Sequence, residues 1–250
     1  MQGLFPQETG SEKLEGRSEK RNQDASFSLP TSHFSLRTPR LRFPEFRDNP
    51  PWKDETLGKH VDINSGGSPT QFVLSSGGRY PFVKVEDLNN CAKYQVTARE
   101  FCADAEGVVP KQSIVFPKRG AAIELNKIRI TRTEILIDTN LMAITPKSGL
   151  TTEFLFYYLT NVGLAHIADT STIPQINNKH IIPFAFLLPS VAEQQRIADC
   201  LTSLDDLIAA QTQKLDVLKT HKKGLMQGLF PQETGSEKLE GRSEKGERTE

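Results

Sequence analysis

The sequence predicts an α+β protein in which one domain of short strands is followed by a long helix that forms a coiled coil. Two observations carry this prediction. Short β-like runs, broken by Gly and Pro, occupy residues 52–189. From Ser190 onward the apolar residues instead recur with a period of 3.5, which is typical of a helix that packs along a partner helix.

The chain begins with a copy of part of its own C-terminal region. Residues 1–20 are identical to residues 226–245, which indicates either one unit of a tandem array or a sequence scar without a physical role. Both copies are rich in Glu, Gly, Ser and Lys and cannot bury a core. We therefore expect residues 1–20 to be mobile and residues 231–250 to form a disordered tail.

Residues 21–51 predict a linker. Prolines at positions 30, 39, 44, 50 and 51 exclude a regular helix there. We expect this linker to dock on the following domain through the apolar side chains of Leu41, Phe43 and Phe46.

The domain at residues 52–189 shows four clear strand-like runs and one helix-like run. The strand-like runs are PFVKV at 81–85, SIVF at 113–116, IRITRTEILI at 128–137 and NLMAI at 140–144. The segment TTEFLFYYLTNVGLAHIA at 151–168 predicts an apolar helix. This mixture is typical of an α+β domain.

The helix at residues 190–230 has a predicted start and a predicted contact face. Ser190 and Glu193 have the spacing of a capping box, in which the Ser190 side chain caps the helix and Glu193 bonds back to its amide. The seam then repeats at intervals of four and three residues, at Ile197, Leu201, Leu204, Ile208, Gln211, Leu215, Leu218, Lys222, Leu225 and Leu229. We expect a partner helix on this seam, and the alternative is a surface helix with a wide apolar face.

Composition excludes several classes of protein. Lys and Arg number 31, as do Asp and Glu, which excludes a globally basic nucleic-acid coat but not a local basic patch. The apolar runs are too short to span a bilayer, so we expect no membrane contact. Three cysteines without a CxxC pair predict reduced thiols in a cytoplasmic protein, with no zinc site and no disulfide framework.

One stretch of the domain is strongly basic. Residues 111–132 hold six basic residues against one acid, Glu124. Glycine at position 120 follows the basic pair and would let the backbone approach a phosphate. The alternative is a solvated strand, turn and strand. The candidate DNA-binding residues are Lys84, Lys118, Arg119, Lys127, Arg129 and Arg132.

Catalytic motifs are scarce. Asn49 to Trp52 reads NPPW, which resembles the active-site tetrapeptide of amino-group DNA methyltransferases. Such a domain requires a strand, a Gly-rich turn and a helix, and no such pattern follows. The histidines at positions 60, 166 and 180 stand alone. We therefore expect no catalytic residue, no metal ligand and no cofactor.

The layout resembles the specificity (S) subunit of type I restriction–modification enzymes, and in particular one half of such a subunit with a single target recognition domain. The quoted motifs are PRLRFPEF at 39–46, INSGGSP at 63–69, PFVKVEDLN at 81–89, FPKRG at 116–120, PQINNKHI at 174–181, EQQRIADCL at 193–201 and KKGLMQGLF at 222–230. The resemblance implies that residues 52–189 bind one DNA half-site and that the helix packs antiparallel on a second conserved helix. It also implies that methyltransferase subunits, and restriction subunits where present, supply the chemistry.

The family pattern has two recognition domains, whereas this sequence has one. We therefore expect two copies to associate through the helix and to bind a bipartite site in double-stranded DNA. The single half either works as such a pair or is a truncated product. The alternatives are a coiled-coil interaction protein that binds no DNA and an autonomous DNA adenine methyltransferase. The expected pairing residues are Ile197, Leu201, Leu204, Ile208, Gln211, Leu215, Leu218 and Leu225.

Overall fold

The computed structural model describes residues 38–103, 106–169 and 171–230. The predictions for residues 1–20, for the tail 231–250 and for most of the linker lie outside these residues. The described elements in chain order are β1 (Lys53–Thr56), α1 (Leu57–His60), β2 (Val61–Ser65), β3 (Leu74–Ser75), β4 (Tyr80–Val83), β5 (Tyr94–Gln95), β6 (Glu100–Cys102), β7 (Ile114–Pro117), β8 (Arg129–Thr131), β9 (Leu136–Ile137), β10 (Leu141–Pro146), α2 (Thr152–Val162), α3 (Leu164–Ile167), α4 (Asn178–Ile181), β11 (Ala185–Leu188) and α5 (Val191–Leu229).

The strands form three sheets. The largest has the order β2-β10-β7-β8-β5, the second has the order β3-β6-β4-β9, and β1 pairs with β11 in a separate ribbon. With α2 and the long α5, this arrangement confirms the predicted α+β class. Of the four strand-like runs, three coincide with single strands, namely β4, β7 and β10.

The central strands β7 and β10 are apolar on both faces because both faces are covered. Ile114 and Phe116 belong to the main apolar cluster, which also contains residues of α2, whereas Val115 between them belongs to a second cluster with Leu141 and Ala143. A strand with only one buried face would alternate apolar and polar residues. The unbroken apolar run in SIVF is therefore explained by a strand with an apolar cluster on each of its two faces.

The run at 128–137 forms two strands instead of one. β8 pairs with β7 in the large sheet, whereas β9 pairs in parallel with β4 in the second sheet. The intervening residues Arg132, Thr133 and Glu134 are exposed, which places a polar corner between two apolar ends. The run thus passes from the first sheet to the second, and the strand is interrupted at residues 132–134 where the chain changes sheets.

The predicted helix at 151–168 is also divided. Gly163 ends α2 with a φ of 84° and precedes α3. A φ in this region is disfavoured for any residue with a Cβ atom, so glycine allows the chain to turn here. Phe154, Leu155 and Leu159 of α2 are buried in the main cluster.

The two ends of the domain meet at the start of α5. β1 and β11 pair from Lys53 with Leu188 to Thr56 with Ala185. Beside this ribbon, Nε and Nη2 of Arg42 each donate to one carboxylate oxygen of Glu193 at 2.8 Å. The indole Nε1 of Trp52 donates to the same carboxylate at 3.0 Å. The Glu193 side chain is only 2% exposed, so this bidentate ion pair lies in an almost dry environment.

The predicted capping box is half correct. Ser190 caps α5 by accepting a hydrogen bond from the backbone amide of Glu193 at 3.3 Å. The Glu193 side chain, however, does not return to the Ser190 amide, because Arg42 and Trp52 bind its carboxylate. Glu193 therefore connects distant segments of the chain, whereas the capping box predicted only a local bond.

The segment before β1 docks differently from the prediction. Leu41 is 90% exposed, so the expectation that it packs on the domain is wrong. The guanidinium of Arg196 instead lies over the ring of Phe43, with 4.8 Å between Cζ of Arg196 and the centre of that ring. Arg42 also donates to the carbonyls of Asn49 and Pro50 at 2.9 and 3.1 Å. Charged contacts to α5 thus dominate the docking of this segment.

Helix α5 contacts the domain only near its beginning. Its buried residues are Glu193, Gln194 and Ala198, and each described residue from Ser203 onward is exposed. The Gln194 side chain accepts from the amide of Thr151 and donates to the carbonyls of Gly149 and Pro189. The remainder of α5 therefore projects from the domain. Within the described residues, no helix is long and apolar enough to cross a membrane.

The buried ion pair predicts a dependence of stability on pH. Burial opposes ionisation of Glu193, but the bonds from Arg42 and Trp52 outweigh it and hold the pKa of Glu193 below its ordinary value. A carboxyl whose pKa is lower in the folded protein contributes stability above its unfolded pKa, about 4.3, and this contribution is lost as pH falls through the folded pKa.

We expect the free energy of unfolding of the parent to fall as the pH decreases from about 5 to about 3. Glu193→Gln should be less stable at neutral pH and should show a shallower dependence in this range. Urea unfolding at a series of pH values measures both quantities, and Glu124→Gln, which removes an exposed carboxylate, is the control. Equal slopes for Glu193→Gln and the parent would show that the ion pair does not contribute.

Candidate nucleic-acid interface

Four chain segments meet along one edge of the domain, which we call the rim: residues 65–68, 118–120, 138–140 and 174–177. The Gly66 amide donates to the carbonyl of Leu141 at 3.4 Å, and the Lys118 amide donates to that of Asn140 at 2.8 Å. The Gly120 amide donates to the carbonyl of Pro174 at 2.9 Å. Three motifs that are far apart in the sequence, INSGGSP, FPKRG and PQINNKHI, thus lie side by side.

Gly66 allows the first two of these segments to approach. A Cβ atom at this position would lie 1.7 Å from the carbonyl oxygen of Asp138. The neighbouring Gly67 donates its amide to Ile137 at 3.0 Å. The Asp138 carboxylate in turn accepts from the amide of Asn140 at 2.8 Å and shapes the turn before β10. Close packing of backbone on backbone therefore defines this part of the rim.

The fourth segment is held by Asp169. Its carboxylate accepts from the Ser171 hydroxyl at 2.7 Å and from the Gln175 amide at 3.0 Å. The Ser171 hydrogen bond is the main reason that the pKa of Asp169 is lowered. Gln175 forms a β-bridge with Arg119, and the Ile176 amide donates to the carbonyl of Lys118 at 2.9 Å. Asp169 thereby stabilises the loop against which the basic pair lies.

Basic side chains on the rim are available to a ligand. Arg119 is exposed and Lys118 is half-exposed, and within the described residues neither side chain forms an ion pair or a hydrogen bond. Lys179, next to the rim at the start of α4, is also exposed. Gly120 adopts a φ of 73° with open space around its Cβ position. Cationic side chains and accessible backbone amides are the groups with which proteins bind DNA phosphates.

Two of the sequence-predicted basic residues, Arg129 and Lys84, are engaged within the domain. Arg129 donates twice to the carbonyl of Leu88 and once to that of Ile128. Lys84 forms an ion pair with Glu100 and lies over the ring of Phe82. We therefore interpret Arg129 and Lys84 as residues that stabilise the fold, and their contact with DNA stays a prediction.

Arg132 and Lys127 lie elsewhere on the domain. The guanidinium of Arg132 stacks 3.7 Å from the ring centre of Tyr94, at the polar corner between β8 and β9. Lys127 follows Asn126, whose side chain binds the carbonyl of Thr160 and the amide of Leu164 near the end of α2. No described hydrogen bond joins either residue to the rim, so the rim brings together only Lys118 and Arg119 of the six predicted residues.

The predicted pairing residues form one exposed apolar stripe along α5. Ile197 and Leu201 at its beginning are half-buried against the domain. Farther along, Leu204, Ile208, Leu215, Leu218 and Leu225 are between 50 and 63% exposed. Gln211 lies among them and is also exposed. Such a contiguous apolar stripe on an isolated chain is typical of an interaction surface.

A second group of polar residues, which the sequence did not predict, lies where α5 leaves the domain. Nζ of Lys93 donates to the hydroxyls of Tyr157 and Thr202 at 2.8 and 2.9 Å. The Tyr157 hydroxyl donates to the carboxylate of Asp205 at 2.5 Å. In the sequence, Lys93 stands beside the aromatic Tyr94. That pair does not indicate that Lys93 binds Tyr157 and Thr202, which are far away in the chain.

The segment NPPW is a structural joint. Arg42 binds the carbonyls of Asn49 and Pro50, and Trp52 binds Glu193. Within the described residues, no group of three His, Cys, Asp or Glu side chains could hold a metal ion. The exposed cations of the rim are groups that can bind a polyanion.

Comparisons with known proteins identify one family. Residues 49–220 match a protein family described as type I restriction modification DNA specificity domain. The MjaIX specificity subunit of a type I restriction enzyme from Methanocaldococcus jannaschii is 25% identical over 179 residues, which cover 67% of this chain and 41% of that protein. The MjaVIII specificity subunit from the same organism is 24% identical over 214 residues, which cover 83% and 47%.

Solved structures share the fold. A chain from a study of complex assembly and conformational transition of the type I R-M system superposes with a TM-score of 0.61 at 23% identity, and covers 76% of this chain and 46% of that one. The HsdS subunit from Thermoanaerobacter tengcongensis superposes with a TM-score of 0.53 at 22% identity, and covers 70% and 41%. This chain thus spans about half the length, or less, of the relatives that it matches.

The close approach at Gly66 predicts a sensitive position. Gly66→Ala should lower the free energy of unfolding by about 1–3 kcal/mol, because a methyl group cannot enter the space beside Asp138 without moving the backbone. Gly77→Ala is the matched control, because nothing lies within 4 Å of its Cβ position. Chemical denaturation of the two variants decides the point, and equal stability would contradict the close contact.

Proposed function

The chain belongs to the type I restriction–modification DNA specificity family, and from this premise we propose that it is a DNA-recognition subunit whose rim contacts a half-site in double-stranded DNA. The observation that carries the proposal is the convergence of three motifs, INSGGSP, FPKRG and PQINNKHI, on one edge. On this edge the side chains of Arg119 and Lys118 form no ion pair or hydrogen bond with any described residue. Chains that bind DNA need cations for the phosphates and an adjoining surface for the bases. The rim supplies both.

The rim has a geometry that suits this role. Its segments are loops at the ends of buried strands, so they are held by the sheet while their side chains remain variable. Asn140 and Asn177 lie beside the basic pair and are exposed. Amide side chains of this kind form paired hydrogen bonds with adenine in the major groove. We propose that cations on the rim position the duplex and that neighbouring polar side chains read its bases.

The subunit acts, in this proposal, within a larger assembly. The family name concerns DNA specificity, and we assign methylation and cleavage to separate methyltransferase and restriction subunits. The chain itself is then non-catalytic and needs no cofactor. Cys91, Cys102 and Cys200 form no disulfide within the described residues, and we propose a cytoplasmic protein, because thiols stay reduced in that compartment.

We further propose that two copies pair through the seam of α5 so that the pair reads a bipartite site. The exposed apolar stripe supports this, because a helix that projects from its domain needs a second surface to cover it. Charge supports an antiparallel arrangement. The first half of α5 carries Asp199, Asp205 and Asp206, whereas its last turns carry Lys219, Lys222 and Lys223. In an antiparallel pair each acidic half faces a basic end.

Two other functions would give different results. A coiled-coil interaction protein would self-associate or bind a protein partner without affinity for DNA. An autonomous methyltransferase would transfer a methyl group from S-adenosylmethionine without added subunits. In the structure, NPPW binds Arg42 through the carbonyl of Asn49 and binds Glu193 through the indole of Trp52. These contacts give the segment a structural role and do not support the methyltransferase alternative.

We expect Arg119→Ala to weaken binding to the preferred duplex by about 1–3 kcal/mol and to reduce the salt dependence of binding, because a cation at the phosphates or bases is lost. Arg47→Ala removes the same charge from an exposed residue of the segment before β1 and is the control. Titrations at several salt concentrations, with a duplex selected from a random library, measure both effects. The rim assignment fails if the two variants bind alike.

We expect Leu204→Asp combined with Leu215→Asp to abolish self-association, because burial of each Leu contributes roughly 1.5–3 kcal/mol and a buried unpaired carboxylate is unfavourable. The domain should remain folded, because both residues are at least half exposed in the single chain. Sedimentation measures association, and Thr212→Asp combined with Thr220→Asp, outside the seam, is the control. A monomeric parent at tens of micromolar would instead require a different protein on the seam.

A further inference from the structure

Helix α5 is attached to the domain at two points. The first is the group around Glu193 and Gln194, which binds Arg42, Trp52 and Thr151. The second point is four side chains, which we call the latch: Lys93, Tyr157, Thr202 and Asp205. Two attachments on one rigid rod determine its direction, whereas one attachment would leave it free to tilt.

The latch is built around a half-buried ammonium group. Nζ of Lys93 lies 4.4, 5.3 and 5.5 Å from the ring centres of Tyr157, Tyr94 and Phe156. These rings stabilise the cation from several sides while its hydrogen bonds point to α5. Tyr157 and Phe156 belong to α2, and Tyr94 belongs to β5 of the largest sheet. The latch therefore connects α5 to both a helix and a sheet of the domain.

The latch does not use the seam. Thr202 and Asp205 lie between the seam residues Leu201, Leu204 and Ile208, on the face of α5 that is turned toward the domain. Beyond Asp205, the hydrogen bonds and ion pairs described for residues 206–226 remain within the helix. The latch is therefore the last described polar attachment before the helix projects.

Its position gives it leverage over the far end of α5. Glu193 and Asp205 are about 18 Å apart along the axis, and Asp205 and Leu229 are about 36 Å apart, at 1.5 Å per residue. A lateral shift of about 1 Å at the latch thus moves the far end by about 3 Å, close to the axial rise of one base pair.

We propose that Lys93 and Tyr157 are positioning residues that fix the direction of α5 and so set the spacer length between the two half-sites that a pair of chains reads. This inference rests on the DNA recognition and pairing proposed above. It separates two properties of the protein, since the rim selects bases within a half-site whereas the latch selects the separation of half-sites. Spacing between half-sites is a geometric property of a rigid dimer.

The first test measures direction in a single chain. Fluorescent labels on unnatural side chains at the exposed positions Lys111 and His221 report the distance between domain and helix, with labelled chains diluted in excess unlabelled protein. Tyr157→Phe and Lys93→Met should broaden or shift this distance by at least about 3 Å, as the leverage requires. Lys219→Met, which removes a cation on the projecting helix, should not.

The second test measures spacer preference with the full-length protein. Half-sites selected by the parent are placed at a series of separations, and affinity is measured for each duplex. We expect the parent to prefer its spacer about tenfold over spacers one base pair longer or shorter, the cost of one mismatched contact. In Tyr157→Phe and Lys93→Met this preference should fall below about threefold, while the preferred bases within each half-site and the affinity for a single half-site stay unchanged.

Each outcome separates the two proposals. An unchanged distance in both latch variants overturns the latch, whether or not the protein binds DNA. A changed distance with an intact spacer preference shows that the latch fixes the helix but does not set the spacing, and overturns the inference. A parent protein that binds no DNA overturns the proposed function, and the spacing role falls with it. Thermal unfolding of the conservative Tyr157→Phe variant verifies that the domain remains folded.

Discussion

The carboxylate of Glu193 binds segments that lie at opposite ends of the domain sequence. Arg42 is 151 residues away and Trp52 is 141 residues away, yet all three meet at the first turn of α5. A buried carboxylate is unfavourable unless cations and donors surround it. The ion pair therefore favours a fold in which the two ends of the domain lie together, and the pairing of β1 with β11 belongs to the same closure.

This closure explains why the domain can present an edge to a ligand. The two ends of the domain meet at the start of α5, whereas the loops of the rim follow the ends of β2 and β7. β7 and β10, apolar on both faces, hold Lys118 and Asn140 at adjoining strand ends. The backbone contact at Gly66 and the bonds of Asp169 then fix the outer segments. Charge on the rim is thus supported by neutral, closely packed backbone.

Helix α5 divides its surface between two tasks. One face contacts the domain at Gln194 and Ala198, and extends to Thr202 and Asp205 through the latch. The neighbouring face carries the apolar seam, which is exposed from Leu204 onward. Because the helix is rigid, the two faces are coupled: whatever covers the seam receives the direction that the domain imposes. A recognition domain and a spacing device can in this way share one continuous helix.

Local patterns in the sequence were sufficient for several elements. Ser190 begins α5, and the continuous runs at 113–116 and 140–144 form central strands. These features depend on side chains within a few residues of one another, so their spacing in the sequence is also their spacing in the protein. The motifs likewise identified the family before any contact was known. The seam was also recognisable from its period, although a partner for it remains a prediction.

Tertiary structure decided which charged residues are available and which hold the fold. Arg129 looked equivalent to Arg119 in the sequence, but a carbonyl 41 residues away binds it. Glu193 fitted a local cap, but distant donors bind it instead, and Lys93 gave no signal for its partners in α2 and α5. The physical reason is the same in each case. A polar group takes the strongest partner that packing brings within about 3 Å, and that partner is set by the folded chain and not by its neighbours in sequence.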